Sequence, residues 1–444
     1  MGALSAARKA AFEILLAVER GRAHSDELLR KRRVEALSAP DRNLATALVM
    51  DVLRWQLHLD GKIQPLLKRP GAKLDPEIRI ALRLGALQLL RMDRIPARAA
   101  IDESVELAKQ AGHRFAAGMV NAVLRRLAAE AWRDRDADVS AAVESHPAWM
   151  VERWTAIYGA ETTQAICLYG QCQPAAAIRL GDADAEAELM GEGVHLRPGG
   201  LLTAARVVAA GDMTRTAAFR AGRVRTQDEG SQLVAECVER GGTILDCCAA
   251  PGGKALILAE RNPQARIVAC EVSARRLAQM QRRLGGLGAS VECRLADAAA
   301  MEDEAAHDAV LCDVPCSGTG TLGRNPEIRH RLRPKDLPRQ AERQRAILLA
   351  ALRAVKPGGR VVYSTCSLEP EENDEVVRAV MADRVEARTV SLSRRIGELE
   401  SEGILTGAGA AGLRDCLTEE GWLRLTPGRF KQDGFFIALL ERVV

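Results

Sequence analysis

Aromatic residues are scarce in this chain of 444 residues, in which Phe, Trp and Tyr together make up 3%. The sequence therefore shows no aromatic platform of the kind on which RNA-binding proteins stack bases. It also has no apolar run near the roughly 20 residues that cross a membrane. Residues 1–18 carry Arg8, Lys9 and Glu13 between their apolar positions, which excludes the continuous apolar core of a secretion signal. We therefore expect a cytoplasmic protein that does not contact a membrane.

Metal-binding spacings are missing as well. Eleven cysteines occur, but they form no CxxC pair and have no histidine at the spacing of a zinc site. We expect no metal, reduced thiols, and mostly buried cysteines that act as small apolar side chains. The formal net charge of +4 is weakly basic and says little about nucleic acid, although arginines cluster locally, above all within 324–333.

Residues 1–130 predict an all-α domain. Apolar residues recur there at helical spacing over five segments, namely 6–20, 41–55, 76–90, 97–110 and 118–129. Residues 129–142 are rich in Ala, Asp and Arg and indicate a linker. Short mixed segments with many glycines follow, and for residues 145–235 we predict a small α+β module.

From residue 236 the pattern changes to strands that alternate with helices. Five strands are predicted, near 243–246, 265–271, 291–295, 309–313 and 359–363. This alternation predicts a mainly parallel sheet with helices on both faces. Each strand ends in a polar residue or a glycine loop, and open α/β sheets bind their ligands at the carboxyl ends of the strands. We therefore expect one site at that edge.

The loop after the first of these strands is rich in glycine. Residues 246–254 read DCCAAPGGK, which is neither the Walker pattern nor the dinucleotide fingerprint, and alone they also fit a structural turn. Glu271 ends the next strand, about 20 residues on, where an acid commonly holds ribose hydroxyls. Asp297 follows the third strand at a position suited to an adenine edge. The loop and the two acids together predict a cofactor that contains adenosine.

Five motifs in order resemble those of the RNA cytosine-5 methyltransferases. They are 246–254 (DCCAAPGGK), 313–320 (DVPCSGTG) and 365–373 (TCSLEPEEN), with 227–231 (QDEGS) and 433–436 (DGFF) on either side. Nearer the N-terminus, four segments resemble NusB and the NusB-like domain of the RsmB/Sun-type 16S rRNA methyltransferases, namely 41–46, 82–90, 94–99 and 121–126. The resemblance covers nearly the whole chain. It implies a NusB-like helical domain (1–130), a small RRM-like α+β module (145–235) and a Rossmann-like α/β methyltransferase domain (236–444).

The resemblance implies that S-adenosyl-L-methionine is the cofactor. Its binding residues are then the glycine-rich loop and the strand-end acids, namely Cys248, Ala249, Ala250, Pro251, Gly252, Gly253, Lys254, Glu271, Asp297 and Asp313. The adjacent Cys247 and Cys248 would supply backbone to the cofactor and not a reactive thiol.

Four catalytic residues follow from the same resemblance. Carbon C5 of cytosine is too weak a nucleophile to take a methyl group directly, but a thiolate added at C6 turns C5 into an enamine-like carbon that can. Cys366 is implied as that nucleophile, and Cys316 as the residue that assists release of the methylated base. Asp313 would hydrogen-bond the cytosine edge, and Lys254 would reach into the same pocket.

The implied partner is 16S rRNA, unassembled or partly assembled into the small subunit, and the enzyme is expected to be a monomer. Because the base must leave its stack to meet Cys366 and the methyl group, we expect an unpaired nucleotide and not a duplex. The arginines from Arg324 to Arg333 follow the 313–320 motif, and we expect them to contact the flanking phosphates.

Three other interpretations stay open on the sequence. The same chemistry can act on tRNA or 23S rRNA, although the NusB-like domain favours 16S rRNA. A non-catalytic RNA-binding factor would be expected to lose Cys316 or Cys366, and both are present. DNA cytosine-5 methyltransferases use the cysteine of the 313–320 motif alone, so the additional Cys366 argues against that class.

Overall fold

The computed structural model describes residues 4–21, 23–71, 73–130, 138–286, 291–383 and 386–443. The chain divides into two compact units, of which one comprises Met1–Cys172 with Leu322–Arg331 and the other comprises Gln173–Thr321 with Leu332–Val444. The predicted fold class is confirmed. The first unit is helical, and the second contains a small α+β sheet and a larger α/β sheet.

The first unit contains helices and no strand in its described residues. Its helices are α1 (Ala6–Glu19), α2 (Ser25–Leu29), α3 (Arg32–Glu35), α4 (Ala39–Ile63), α5 (Pro76–Arg91), α6 (Ala97–Gln110), α7 (Ala117–Glu130), α8 (Asp138–Glu144), α9 (Ala148–Tyr158), α10 (Ala160–Gln171) and, from the later segment, α16 (Ile328–Arg331). The five helices predicted from the sequence are all present, and α4 is longer at both ends than predicted. Of the predicted linker 129–142, residues 131–137 lie outside the described residues.

Local sequence signals start these helices, and close packing holds them together. The Ser38 hydroxyl accepts a hydrogen bond from the Asp41 N–H (3.2 Å) and so caps α4. A Cβ atom at Gly85 of α5 would lie 2.5 Å from Cδ1 of Leu124 and 2.8 Å from Oγ of Ser104. Only glycine therefore lets α5 approach α6 and α7 this closely, and Leu124 is fully buried at their contact.

Residues 322–331 pack into the helical unit, although they follow the 313–320 motif in the sequence. The Arg54 guanidinium donates to the Gly323 carbonyl through Nε (3.2 Å) and Nη2 (2.8 Å). The carboxylate of Glu327 accepts from both the backbone N–H (3.0 Å) and the hydroxyl (2.9 Å) of Ser25. These contacts tie the segment to α2 and α4.

Arg329 is the most buried cation of this segment, with 1% of its surface exposed. Its guanidinium donates to three backbone carbonyls, those of Arg54 (3.1 Å), Ser145 (3.2 Å) and Gly170 (3.0 Å). Burial lowers its pKa to about 9. Arg331 likewise donates to the carbonyl of Ala23 (2.8 Å). The expectation that the arginines of 324–333 contact RNA phosphates is therefore wrong for Arg329, because its donors are used inside the helical unit.

The second unit begins with a small antiparallel sheet. Its elements are β1 (Ala177–Leu180), α11 (Asp184–Gly191), β2 (His195–Pro198), β3 (Ala205–Ala210), α12 (Ala217–Arg220) and β4 (Val224–Thr226), and the strand order is β2-β3-β1-β4. This is the βαββαβ succession of ferredoxin-like folds. The four strands contain no Phe, Tyr or Trp, so this sheet offers no aromatic side chains for base stacking.

The predicted start of this module at residue 145 is wrong. Residues 148–171 form α9 and α10, which belong to the helical unit, and the second unit starts at Gln173. The small sheet is also joined by ion pairs to the part of the chain that forms the larger sheet. Arg179 of β1 pairs with Glu236 (2.8 Å) and Glu260 (3.1 Å). The buried carboxylate of Glu229 accepts from the N–H groups of 200–202 at 2.6 to 2.9 Å.

The larger sheet has eight strands in the order β10-β12-β9-β8-β5-β6-β7, with β11 paired to β12. Its elements are α13 (Glu229–Glu236), β5 (Thr243–Asp246), α14 (Gly253–Arg261), β6 (Arg266–Glu271), α15 (Ala274–Gly286), β7 (Val291–Leu295), β8 (His307–Asp313), α17 (Leu337–Ala354), β9 (Val355–Thr365), α18 (Asp374–Asp383), β10 (Ala387–Val390), α19 (Leu392–Ser401), α20 (Gly407–Arg414), β11 (Leu423–Leu425) and β12 (Phe435–Arg442). Strands β7, β6, β5, β8 and β9 are parallel, whereas β10, β11 and β12 are antiparallel. The sheet is thus mainly parallel, as predicted.

Both faces of this sheet are covered. Alternate residues of β8 enter two different apolar cores, Leu311 packing with α13, α14 and α19 and Val310 packing with α17 and α18. This alternation follows from the two-residue period of a strand. Among the described residues, none of the helices combines the length and the apolar character that crossing a bilayer requires.

Replacing Arg329 by alanine is expected to destabilise the helical unit. The change leaves three buried carbonyls without their charged donor, and hydrogen bonds to charged groups contribute about 1.5–3 kcal/mol each. We expect the free energy of unfolding to fall by about 3 kcal/mol or more, measured by urea denaturation. The control is Arg98→Ala, which removes a side chain that is 93% exposed and should change stability little. Equal stability of the two variants would contradict the role given to Arg329.

Candidate active site

Four parallel strands end at one edge of the larger sheet and carry the polar residues of the site. Asp246 ends β5, Glu271 ends β6 and Asp313 ends β8. Cys366 follows the last residue of β9. Because the parallel strands share one direction, these residues lie at the same edge. The structure thus brings together groups that the sequence separates by up to 120 residues.

The loop after β5 is held by backbone hydrogen bonds to the neighbouring strands. The Cys247 N–H donates to the Leu311 carbonyl (2.9 Å), and the Ala249 N–H donates to the Cys270 carbonyl (2.8 Å). Gly252 has φ +97°, and a Cβ there would lie 3.1 Å from Cγ of Met280. The left-handed backbone requires glycine at this point. The loop then enters α14 with its backbone turned to the edge of the sheet.

Glu271 is almost fully buried, with 3% of its surface exposed. It accepts from the Ser273 N–H (2.8 Å) and pairs with Arg276 (3.1 Å). Arg276 also donates to the Ala250 carbonyl (2.9 Å), and so links this acid to the glycine-rich loop. Asp297 is exposed and accepts from the Ala299 N–H (3.1 Å).

A cleft of about 310 Å³ opens between these groups. Its walls include the thiols, acids and arginines at the strand ends, namely Cys247, Cys248, Ala250, Glu271, Arg276, Asp297, Asp313, Cys316, Arg343 and Cys366. Five of the ten residues predicted to bind a cofactor line it, which are Cys248, Ala250, Glu271, Asp297 and Asp313. The other five lie within the loop and at the start of α14. Ala249 and Gly252 are buried there, Pro251 is exposed, and Gly253 and Lys254 are partly buried.

Lys254 and Asp313 form an ion pair at the edge of the sheet. The ammonium Nζ lies 2.8 Å from Oδ2 of Asp313, and the Ser364 hydroxyl donates to Oδ1 (2.7 Å). Burial by itself lowers the pKa of Lys254, but the charge and hydrogen bond of Asp313, together with the charges of Asp246 and Cys366, outweigh it and the pKa is raised. Lys254 is therefore a fixed cation, and it lies close enough to Cys366 for the two to interact electrostatically.

The two thiols predicted to act on the base are in contact. Sγ of Cys316 lies 3.4 Å from Sγ of Cys366, and both residues are partly exposed to the cleft. The hydrogen bond to Cys366 raises the pKa of Cys316 well above its usual value, and burial adds to this effect. Cys316 therefore keeps its proton in this contact.

Asp246 is a site residue to which the sequence assigned no role. Both of its carboxylate oxygens are buried, and neither makes a hydrogen bond of normal geometry with the described residues. Burial raises its pKa to about 7, and the charge of Asp313 adds to the shift while Lys254 opposes it. The position of Asp246 at the end of a predicted strand could have identified it, because every other predicted strand end supplied a site residue.

Four more residues of the site escaped the sequence analysis. Arg276 holds the loop, and the exposed Arg343 of α17 lines the cleft. Glu372 and Gln344 are fully buried behind the two cysteines. Glu372 lies within the 365–373 motif, which was the available signal for it, whereas Gln344 had no local signal because its contacts come from distant segments.

The raised pKa of Asp246 predicts a pH-dependent stability. Its ordinary value is 3.8 and the folded value is about 7, so the folded chain binds more protons than the unfolded chain in that window. Stability from this group falls as the pH rises from about 4 to 7. Asp246→Asn should therefore raise the melting temperature at pH 8 more than at pH 5, as measured by calorimetry. Parallel pH profiles of the variant, the wild type and the exposed control Glu302→Gln would contradict this assignment.

Comparisons with known proteins agree along the whole chain. The family model for 16S rRNA methyltransferase RsmB/F matches residues 236–441, and the NusB family model matches residues 5–129. The probable ribosomal RNA small subunit methyltransferase B of Bacillus subtilis is 32% identical over 455 residues, covering 98% of both chains. The ribosomal RNA small subunit methyltransferase B of Pseudomonas putida is also 32% identical, over 458 residues and 98% of both chains.

Solved structures share the fold at lower identity. The structure of PH0851 superposes with a TM-score of 0.76 and 23% identity over all of both chains. NSun6 from Pyrococcus horikoshii with SFG has a TM-score of 0.55 and 19% identity, covering 67% of this chain and 98% of that one. Because relatives at 32% identity span nearly the full length and the two family models match in order, the chain belongs to the 16S rRNA methyltransferase RsmB/F family and carries a NusB-family domain at its N-terminus.

Proposed function

We propose that the protein transfers a methyl group from S-adenosyl-L-methionine to C5 of an unpaired cytosine in 16S rRNA, through a covalent bond between Cys366 and C6. The observation that carries the proposal is the contact between Cys316 and Cys366, which both line the cleft and whose sulfurs are 3.4 Å apart. The choice of 16S rRNA rests on the names of the relatives and of the family.

The cleft fits an adenosine-containing cofactor. Glu271 presents a buried carboxylate at the end of the second parallel strand, where ribose hydroxyls are commonly bound. Asp297 lies on the same wall, beside Ala296 and Ala298, at a position suited to an adenine edge. Gly252 lets the loop backbone approach a ligand closely. S-adenosyl-L-methionine supplies, when bound, an electrophilic methyl group.

Attack on the base uses the groups that surround Cys366. Its thiolate adds to C6 of the cytosine, so that electron density moves to C5, which then takes the methyl group. Lys254, which is paired with Asp313, is the cation that interacts electrostatically with Cys366. Asp313 is held by Ser364 (2.7 Å) at the end of β8, from where it can hydrogen-bond the cytosine edge.

In release a base takes the proton at C5, the electrons of that bond form the C5=C6 double bond, and the bond between C6 and Cys366 breaks so that Cys366 leaves as a thiolate. The sulfur of Cys316 is in contact with that of Cys366, so Cys316 is the group placed to assist this step. Its pKa is held high, first by its hydrogen bond to Cys366 and then by burial. Cys316 therefore stays a thiol during attack, and the two cysteines do not compete for C6.

Cofactor binding should depend on Glu271. Replacing it by alanine removes the acceptor for the ribose hydroxyls and frees Arg276, and each unsatisfied hydrogen bond costs roughly 1–3 kcal/mol. Affinity for S-adenosyl-L-methionine should then fall about tenfold or more in calorimetry. The control is Glu292→Ala, which removes an exposed acid of β7 outside the cleft. An affinity that Glu271→Ala leaves unchanged would remove Glu271 from the site.

The two cysteines should fail at different steps. Cys366→Ala is expected to give no covalent complex and no product, because it lacks the nucleophile. Cys316→Ala should still attack but release slowly, so a covalent protein–RNA adduct accumulates. A denaturing gel with labelled 16S rRNA and S-adenosyl-L-methionine measures the adduct, and Cys172→Ala, an exposed cysteine of α10's C-terminal end, is the control.

Two outcomes of this assay would overturn the assignment. An adduct that persists in Cys366→Ala and disappears in Cys316→Ala would exchange the two roles, as in the DNA enzymes. Turnover that neither substitution changes would refute the thiol mechanism. A wild-type enzyme that modifies tRNA or 23S rRNA in place of 16S rRNA would keep the chemistry and correct the substrate.

A further inference from the structure

A fully buried carboxylate contacts the residues that follow the two cysteines. Glu372 has 0% of its surface exposed. Its Oε1 accepts from the Ser317 N–H (2.8 Å) and from Nε2 of Gln344 (3.0 Å). Its Oε2 accepts from the hydroxyls of Ser317 and Ser367, the latter at 2.5 Å. Four donors therefore converge on this one side chain, which compensates the cost of burying its charge.

These donors come from residues next to each cysteine. Ser317 follows Cys316 in the loop after β8, and Ser367 follows Cys366 in the loop after β9. The two serine hydroxyls also lie 3.0 Å apart. Glu372 thus joins the two cysteine loops directly, because it contacts the residue that follows each cysteine.

Gln344 extends the link to the other side of Cys316. The same Nε2 that donates to Glu372 also donates to the Pro315 carbonyl (3.0 Å), and Gln344 is fully buried in α17. The peptide groups before and after Cys316 are therefore both fixed, the first by Gln344 and the second by Glu372.

Glu372 is itself held rigidly. Its carbonyl accepts from the Tyr363 hydroxyl (2.6 Å), which comes from β9. The neighbouring Asn373 donates to the Ser367 carbonyl (2.9 Å). The backbone of Glu372 is therefore fixed to β9 through Tyr363, and the residue after it is fixed to the loop that carries Cys366.

We propose that Glu372 and Gln344 are positioning residues that hold the Cys316 thiol against Cys366, and that this contact sets the rate at which the enzyme releases the methylated base. Neither side chain lines the cleft, so neither touches the cofactor or the base. The charge of Glu372 also contributes to the raised pKa of Cys316, after the hydrogen bond to Cys366, burial and the charge of Cys366. The proposal rests on the proposed function for its catalytic consequence, but the positioning itself can be tested without it.

Three variants separate geometry from charge. Glu372→Ala removes all four contacts, and Gln344→Leu removes the link to Pro315 and one donor to Glu372. Glu372→Gln keeps Oε1 as the acceptor for the two N–H donors, while its amide can donate to the serine hydroxyls, which accept as well as donate. If position is what matters, Glu372→Gln should behave nearly as the wild type. Glu375→Ala, an exposed acid of α18, is the matched control.

The first experiment measures the distance between the thiols without any methylation. Diamide oxidises two thiols in contact to a disulfide and is itself reduced to the hydrazine, taking up both protons and both electrons. Mass spectrometry of the full chain follows the Cys316–Cys366 disulfide with time. We expect the disulfide to form about tenfold more slowly in Glu372→Ala and Gln344→Leu than in the wild type, with Glu372→Gln and Glu375→Ala close to the wild type.

The second experiment measures catalysis. Glu372→Ala and Gln344→Leu should lower kcat about tenfold or more and accumulate the protein–RNA adduct, while the affinity for S-adenosyl-L-methionine stays unchanged. Equal rates of disulfide formation in all variants would overturn the positioning role. A loss of cofactor affinity in step with kcat would also overturn it, because it would show a merely structural role.

Two further outcomes are a variant that does not fold and a wild type that shows no methylation. If Glu372→Ala does not fold, Ser317→Ala replaces it, because this variant removes the hydroxyl contacts with Glu372 and Ser367 and keeps the backbone N–H contact. An unchanged rate of disulfide formation in Ser317→Ala would then count against the proposal. If the wild type makes no 5-methylcytosine and no adduct, the proposed function fails, while the disulfide rates still decide whether Glu372 and Gln344 position the thiols.

Discussion

Backbone hydrogen bonds pair β5 with β8 and β8 with β9 as parallel strands. The last residues of these strands, Asp246, Asp313 and Thr365, therefore lie at one edge of the sheet. Everything else in the site is built on this alignment. The loop that carries Cys316 starts where β8 stops, and Cys366 follows where β9 stops. A shift of β9 by one residue would turn its side chains to the other face, and the two sulfurs would separate.

The charged side chains at this edge differ in how well their charges are compensated. The ion pair of Lys254 and Asp313 stabilises itself, but it leaves Asp246 facing a second carboxylate in a buried position. Burial raises the pKa of Asp246, and the charge of Asp313 adds to the shift. On the far side of the cysteines, Glu372 has a full set of donors and no such conflict. Cys366 thus interacts electrostatically with the cation Lys254, and Cys316 with the anion Glu372.

The sequence predicted most of the framework because local patterns determine it. Helices with an apolar face and short apolar strands ending in a polar residue were recognisable, and so were Glu271 and Asp313 at strand ends. Gln344 was not recognisable, because its role comes from burial against Pro315 and Glu372, which no local pattern records. Arg329 was misjudged for the same reason: an arginine that binds phosphate and one that binds three remote carbonyls look alike in a sequence.

The packing of residues 322–331 among the helices has a consequence for how such a gene can be divided. The catalytic part of the sequence contains ten residues whose partners, including Ser25, Arg54 and the carbonyl of Gly170, are encoded before residue 173. A chain begun at residue 173 would expose the buried Glu327 and Arg329 to water. Recombination at that boundary therefore does not exchange independent modules, and the two halves of the gene are constrained to change together.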